Sequence, residues 1–202
     1  MSGQFPTSVT PSRVTLTSVT PTFVSVSHSL KRQARTREAQ RWRLDVEFPP
    51  MTREQAAPIL AFAVAQRGQF ETFTFVPPPL AQPLGQGGGS PLVNGGGQTG
   101  RSIALKSAPA SVTGWLKAGD LIKFAGHAKV YMVMADADTD ASGNVTLTIE
   151  PALESSPADG EAVTISNVPF QVSFVEDNQA VEFAPPSPEY IVGYRMTLIE
   201  VP

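Results

Sequence analysis

The 202-residue chain is long enough for one large domain or two small ones, and its 16% charged residues fall below the roughly 25% usual for soluble domains. The 19 prolines and 16 glycines argue against a helical bundle or long coiled coil, and many short strands joined by turns fit better. A net charge of −3 gives no overall field for nucleic acid or an anionic membrane, and the absence of cysteine removes disulfides, thiol catalysis and thiolate metal sites.

The chain opens on alternation. Val14 and Leu16, then Phe23, Val24 and Val26, predict two short strands, and Trp42, Leu44, Val46 and Phe48 predict a third with one buried face. Ahead of that third row and running into it lies the strongest charge feature, Lys31, Arg32, Arg35, Arg37, Arg41 and Arg43, opposed only by Glu38. It reads as a loop. No aromatic residue interleaves it before Trp42, so a specific nucleic-acid site is not expected. A solvated loop and a contact to carboxylates of a neighbouring subunit or partner both remain open, because arginine forks pair well with carboxylates.

Pro49-Pro50 stops the third strand, and Thr52 with Gln55 forms a capping-box pattern that predicts a helix over about 52–67. Ile59, Leu60, Phe62, Ala63 and Val64 supply its apolar face, Pro58 bends its first turns and Gly68 stops it. Phe73 and Phe75 mark a further strand. The stretch 79–100 is rich in glycine and proline, lacks periodicity and reads as a linker or long mobile arm. Ile103 and Leu105, Leu121 to Phe124, Val130 to Met134, Val145 to Ile149 and Val163 to Ile165 then predict five short strands forming a small barrel of their own. Phe170 to Val175, Val181 to Phe183 and Tyr190 to Val201 are expected to close the sheet begun at the N-terminus. The fold class is therefore mainly β with one principal helix: a β-sandwich host, 1–78 and 168–202, interrupted by an inserted β-domain at 101–166.

Few residues carry chemistry. Gly95 to Ser102 nearly spells a phosphate-binding loop, with Arg101 in the lysine position, but the sequence that follows is extended where a helix is required. Asp136, Asp138 and Asp140 alternate as in a calcium loop, yet the EF-hand register places Ala141 at the glycine position and Leu147 at the bidentate glutamate position, so a hairpin turn is expected. The two histidines, His28 on an apparent strand and His127 in a turn, cannot form a histidine metal cluster, and no GxSxG elbow accompanies them. Glu150, Glu154, Asp159 and Glu161 read as a polar rim. No catalytic residue, metal or cofactor is predicted. The longest apolar run, Ile59 to Ala65, is too short for a membrane span, and Met1 to Thr10 has no charged start followed by an apolar block.

From the basic stretch through Trp42-Arg-Leu-Asp-Val-Glu-Phe-Pro-Pro-Met, the helix from Thr52 to Arg67, and Gly68-Gln-Phe-Glu-Thr-Phe-Thr-Phe, the chain resembles the core of phage distal tail proteins. The segment Trp115-Leu-Lys-Ala-Gly-Asp120-Leu-Ile-Lys-Phe, followed by Val130-Tyr-Met-Val, also looks like β-rich insertions of phage tail proteins. The resemblance implies a structural virion protein at the distal end of the tail, made in the bacterial host cytoplasm. It implies a homohexameric ring joining the tail tube to the tail-tip or baseplate hub, with an OB-like insertion on the outside. Its expected partners are copies of itself, the tail tube protein, and tail-tip hub or fibre proteins, with no membrane. The basic stretch is the expected subunit or partner contact. Two alternatives stand beside this: a carbohydrate- or receptor-binding module using Trp115, Phe124 or Tyr131 as a sugar platform, and a tail-tube or terminator subunit.

Overall fold

The computed structural model describes residues 3–180, 182–183 and 190–202. In chain order the elements are β1 (Arg13–Val19), β2 (Thr22–Val26), β3 (Arg32–Thr36), β4 (Arg41–Glu47), β5 (Met51–Thr52), α1 (Arg53–Ala65), β6 (Phe73–Phe75), β7 (Leu92–Val93) and β8 (Ser102–Lys106). There follow β9 (Leu121–Phe124), β10 (Val130–Val133), β11 (Val145–Glu150), β12 (Val163–Thr164), β13 (Phe170–Phe174), β14 (Glu182–Phe183), β15 (Tyr190–Gly193) and β16 (Arg195–Glu200). Among the described residues the fold is mainly β with a single α-helix.

The two ends of the chain meet in one five-stranded sheet of order β1-β4-β16-β13-β6, in which Leu44 pairs with Leu16 on one side and Leu198 on the other. Alternation decides which face is buried: Trp42, Leu44 and Val46 point into the core while Arg41 and Arg43 point out. The expected long strand over Tyr190–Val201 is two strands, β15 pairing with β5 and β16 with β4, broken at the buried Tyr194. Val181 lies outside the described residues.

Helix α1 starts as its capping box requires. The Thr52 hydroxyl accepts from the Gln55 amide (3.3 Å) and the Gln55 side chain accepts from the Thr52 amide (3.0 Å). Its buried face is Ala56, Ile59 and Ala63, with Phe62 edge-on to Phe73. Val64, expected on that face, is instead exposed, because one step of about 100° beyond Ala63 carries it off the buried stripe. Gly68 ends the turn at φ +66°, where a Cβ would stand 2.6 Å from the Asp177 carboxylate.

The second sheet, of order β12-β9-β10-β11-β8-β7, curls into a nearly closed barrel. Its seam is drawn together by Val93 N–H donating to Glu161 O (2.9 Å) and Val163 N–H donating to Pro91 O (3.0 Å). Trp115, Ile122, Phe124, Tyr131, Leu147 and Ile149 fill the interior.

Of the stretch 79–100, expected to be a linker or mobile arm, residues 83–100 are part of this barrel. Leu92–Val93 is a barrel strand, the amides of Gln86 and Gly87 donate to Gly114 O (3.0 Å) and Trp115 O (2.8 Å), and the buried Asp120 carboxylate accepts from Leu84 (2.6 Å) and Gly85 (3.1 Å). Gly85, one of the glycines that read as flexibility, serves close approach: a Cβ there would lie 2.3 Å from Trp115 O.

The barrel and the host sheet share a wall. In β9 and β10, Ile122, Phe124, Tyr131 and Val133 face the barrel core, whereas Leu121, Val130 and Met132 pack into the host core with Trp42. Both faces of these strands are covered. They therefore depart from strict alternation, β9 through the adjacent buried Leu121-Ile122 and β10 through the continuous apolar run Val-Tyr-Met-Val, unlike β11, whose Val145-Thr-Leu-Thr-Ile alternates with one face exposed.

Candidate assembly surface

The expected basic loop is a two-stranded hairpin. β2 and β3 pair in register from Thr22–Thr36 to Val26–Arg32, turn at Ser27–Lys31, and are bonded to no other strand among the described residues. Every residue of both strands is exposed. At about 3.4 Å per residue each of its five-residue strands is about 17 Å long, and the hairpin carries apolar side chains into solvent, with Phe23 at 55% and Val26 at 59% exposure.

Directly opposed residues share a face, so the register sorts the arm's two sides. Phe23 faces Arg35 on one side, with the Arg37 guanidinium 4.1 Å over the Phe23 ring. Val24, Val26, Ala34 and Arg32 lie on the other. Arg41 and Arg43 sit farther back on β4, and Arg43 is held by Asp45 at 3.0 Å. The six cations therefore form a ribbon spread over both faces of the arm and its root, which corrects the single-loop reading. Lys31, Arg32, Arg35 and Arg41 have no carboxylate partner among the described residues. His28, expected on a strand, is in the exposed tip, because the strand ends at Val26.

The proposed sugar platform does not exist as a surface. Trp115, Phe124 and Tyr131 are each 0% exposed. The Trp115 indole donates to Gly88 O (3.2 Å), the Tyr131 hydroxyl accepts from the Glu154 amide (3.3 Å), and Phe124 and Tyr131 meet edge-on. Burial pushes the Tyr131 phenol above its ordinary pKa. Large aromatic area on strands of a small barrel is core.

The other motifs resolve into turn chemistry. Gly95 N–H donates to Asp159 (2.8 Å), placing a carboxylate where a phosphate would need the amide, and Ser102 opens a strand. Asp136 accepts from the Ala118 amide (3.0 Å) and Asp138 from the Gly114 amide (2.6 Å). Asp140 accepts from the Ser142 and Asn144 amides (both 2.8 Å); these bonds, those of Asn144 first, hold its carboxyl below the usual range. His127 lies 3.5 Å from the Ser155 hydroxyl and 4.0 Å from Glu161, a pairing absent from any sequence motif. Glu161, however, spends its oxygens on the Gly126 (2.6 Å) and Ala158 (2.9 Å) amides and so organises the turn. Glu150 pairs with Arg101 and Asp159 with Lys106, both at 2.7 Å on the surface.

Residues 83–168 match the family model described as distal tail protein pb9, B domain. That supports a phage distal tail protein family. The match covers the barrel and begins at residue 83, within the Gly/Pro-rich stretch 79–100, in agreement with the packing of Leu84 and Gly85 on Asp120. No curated protein matches the chain. The distal tail protein family is structural, and a phage tail protein belongs to the virion tail. Among the described residues no helix is long and apolar enough to cross a membrane.

Two functional groups have no counterpart in the sequence motifs. Asp120, buried, gathers the Leu84, Gly85 and Lys117 amides. Lys129 and Glu200, 2% and 0% exposed, pair at 2.5 Å between barrel and host. Burial pushes the Glu200 carboxyl above its ordinary pKa, against the pull of Lys129 and of the Val130 and Trp42 amides.

Proposed function

We propose that this protein closes a homohexameric ring at the distal end of a phage tail, joining the tail tube to the tail-tip or baseplate hub, and that the β2–β3 arm is one of its contact patches. The observation that carries the reading is the arm itself. An isolated two-stranded hairpin is marginal in water, and this one is exposed on both faces with apolar side chains outward. Its charge argues for a second copy as the occupant. Residues 31–43 carry six cations against Glu38, a net +5 in a chain of net −3, so the remainder nets −8. A ring uses heterologous contacts, in which two different patches meet, and a basic arm on an acidic body supplies unlike patches.

Light scattering with end-on particle imaging tests this: a closed ring with an open centre is expected, alone or beside tail partners. Arg32→Glu, Arg35→Glu and Arg41→Glu together place like charges in the contact and raise the concentration needed for assembly about tenfold or more, most clearly at low salt. A chain that stays monomeric beside its tail partners refutes the ring.

A further inference from the structure

The arm and the barrel are distant in sequence, yet a buried polar junction joins them. The two strands that carry the arm lose register at its root: two residues, Thr20 and Pro21, separate β1 from β2, whereas four, Arg37 to Gln40, separate β3 from β4. The unequal lengths bend the ribbon there, with Glu38 at φ +57°. Gln40 closes the bend. Its side chain donates to the Ser18 hydroxyl on the opposite strand (3.0 Å), and it is buried. The Lys129 ammonium, from the barrel, donates to Gln40 O (2.7 Å) and to Glu200 (2.5 Å). Glu200, at the end of β16, also accepts from the Val130 amide of the barrel (2.8 Å) and the Trp42 amide of the host (3.2 Å). The Trp42 indole donates to Val130 O (2.8 Å). One ion pair thus ties three pieces: the barrel, the last host strand and the root of the arm.

We propose that Lys129 and Glu200 form a buried latch through which the barrel sets the direction of the basic arm. A buried pair in which one partner is removed leaves an uncompensated charge, so separating Lys129 from Glu200 is costly. Lys129 is a positioning residue for the arm. It acts through the Gln40 carbonyl, at the bend where the ribbon is least regular and a single bond has most leverage on direction. A load or partner acting on the barrel would reach the arm through this bond. The latch is a property of one chain and holds whether or not the chain closes a ring.

The absence of cysteine makes the test direct. Ser29→Cys at the arm tip and Thr148→Cys on the outer face of β11, both exposed, carry spin labels whose separation is measured by pulsed electron resonance, with labelled chain diluted into unlabelled chain. The wild-type background is expected to give one narrow distance peak, and a broad distribution there overturns the proposal at the outset. Lys129→Met is expected to lose the narrow peak while the barrel keeps its cooperative unfolding. Lys129→Met with Glu200→Gln removes both charges, avoids stranding a buried carboxylate, and still deletes the bond to Gln40. It is expected to lose the peak as well. Either variant, folded and with the narrow peak intact, refutes the latch.

Discussion

Gly85→Ala separates a packed barrel strap from a flexible linker. Were 79–100 a linker, replacing a glycine would leave stability unchanged or raise it by about 0.4–1 kcal/mol, through the entropy of the unfolded chain. In the structure the new Cβ would stand 2.3 Å from Trp115 O, 2.6 Å from Leu116 Cα and 2.7 Å from Trp115 C. All three are backbone atoms, so no side chain can swing aside. Restoring ordinary contact requires the strap to retreat by roughly 1 Å, yet Gly85 N–H is held by Asp120 (3.1 Å) and Gly87 N–H by Trp115 O (2.8 Å). Overpacking costs about 1–3 kcal/mol, and each weakened amide bond adds about 1 kcal/mol. A loss of about 3 kcal/mol is therefore expected. With a urea slope of about 2 kcal/mol per molar, the midpoint falls by about 1.5 M. The fluorescence of the fully buried Trp115 reports the transition. Gly96→Ala is the internal control, since its nearest neighbour would be the Asp159 amide at 3.6 Å, an ordinary contact. Equal midpoints for the two variants would refute the packed strap.

Asp120→Ala strips the acceptor from three amides at once and is expected to cost about 3–5 kcal/mol in the same urea assay, with Asp120→Asn recovering part of the loss. The turn at Asp140–Asn144 should respond to acid. Its carboxyl is depressed by the Asn144 and Ser142 bonds, so its stabilising contribution is complete above the ordinary carboxylate range and is lost as pH falls through the lowered value. The protection factor of the Asn144 amide, its exchange relative to an unstructured chain at the same pH, is expected to fall over that window, and Asp140→Asn should abolish the dependence.

Local signals carried most of the elements. Thr52 and Gln55 specify a helix start within four residues, and Val145-Thr-Leu-Thr-Ile states by alternation that one face is wet. The arm was harder. Phe23, Val24 and Val26 look like part of a buried strand, and nothing local reveals that the hairpin leaves its own sheet behind. Glycine at 85 and glycine at 96 are the same letter with opposite meanings, and only the space around each separates them. Lys129 and Glu200 are 71 residues apart, so no spacing rule joins them.

One signal for the junction was present in the strands themselves. A strand with one wet face alternates, and a strand covered on both faces does not. Leu121-Ile-Lys-Phe and Val130-Tyr-Met-Val break the alternation that β11 keeps, which states that something besides the barrel core lies against them. What lies there is the host, with Trp42, Leu121 and Val130 in one cluster. The boundary of the family match at 83–168 is consequently a boundary of sequence and not of energy. Trp42 belongs to the host strand by chain position and to the barrel by its bond to Val130 O. A charged pair can stand in such a wall because the amides of Trp42 and Val130 and the Gln40 carbonyl hydrogen-bond it from both sides. The pair takes its hydrogen bonds from the barrel and from the host strands at once.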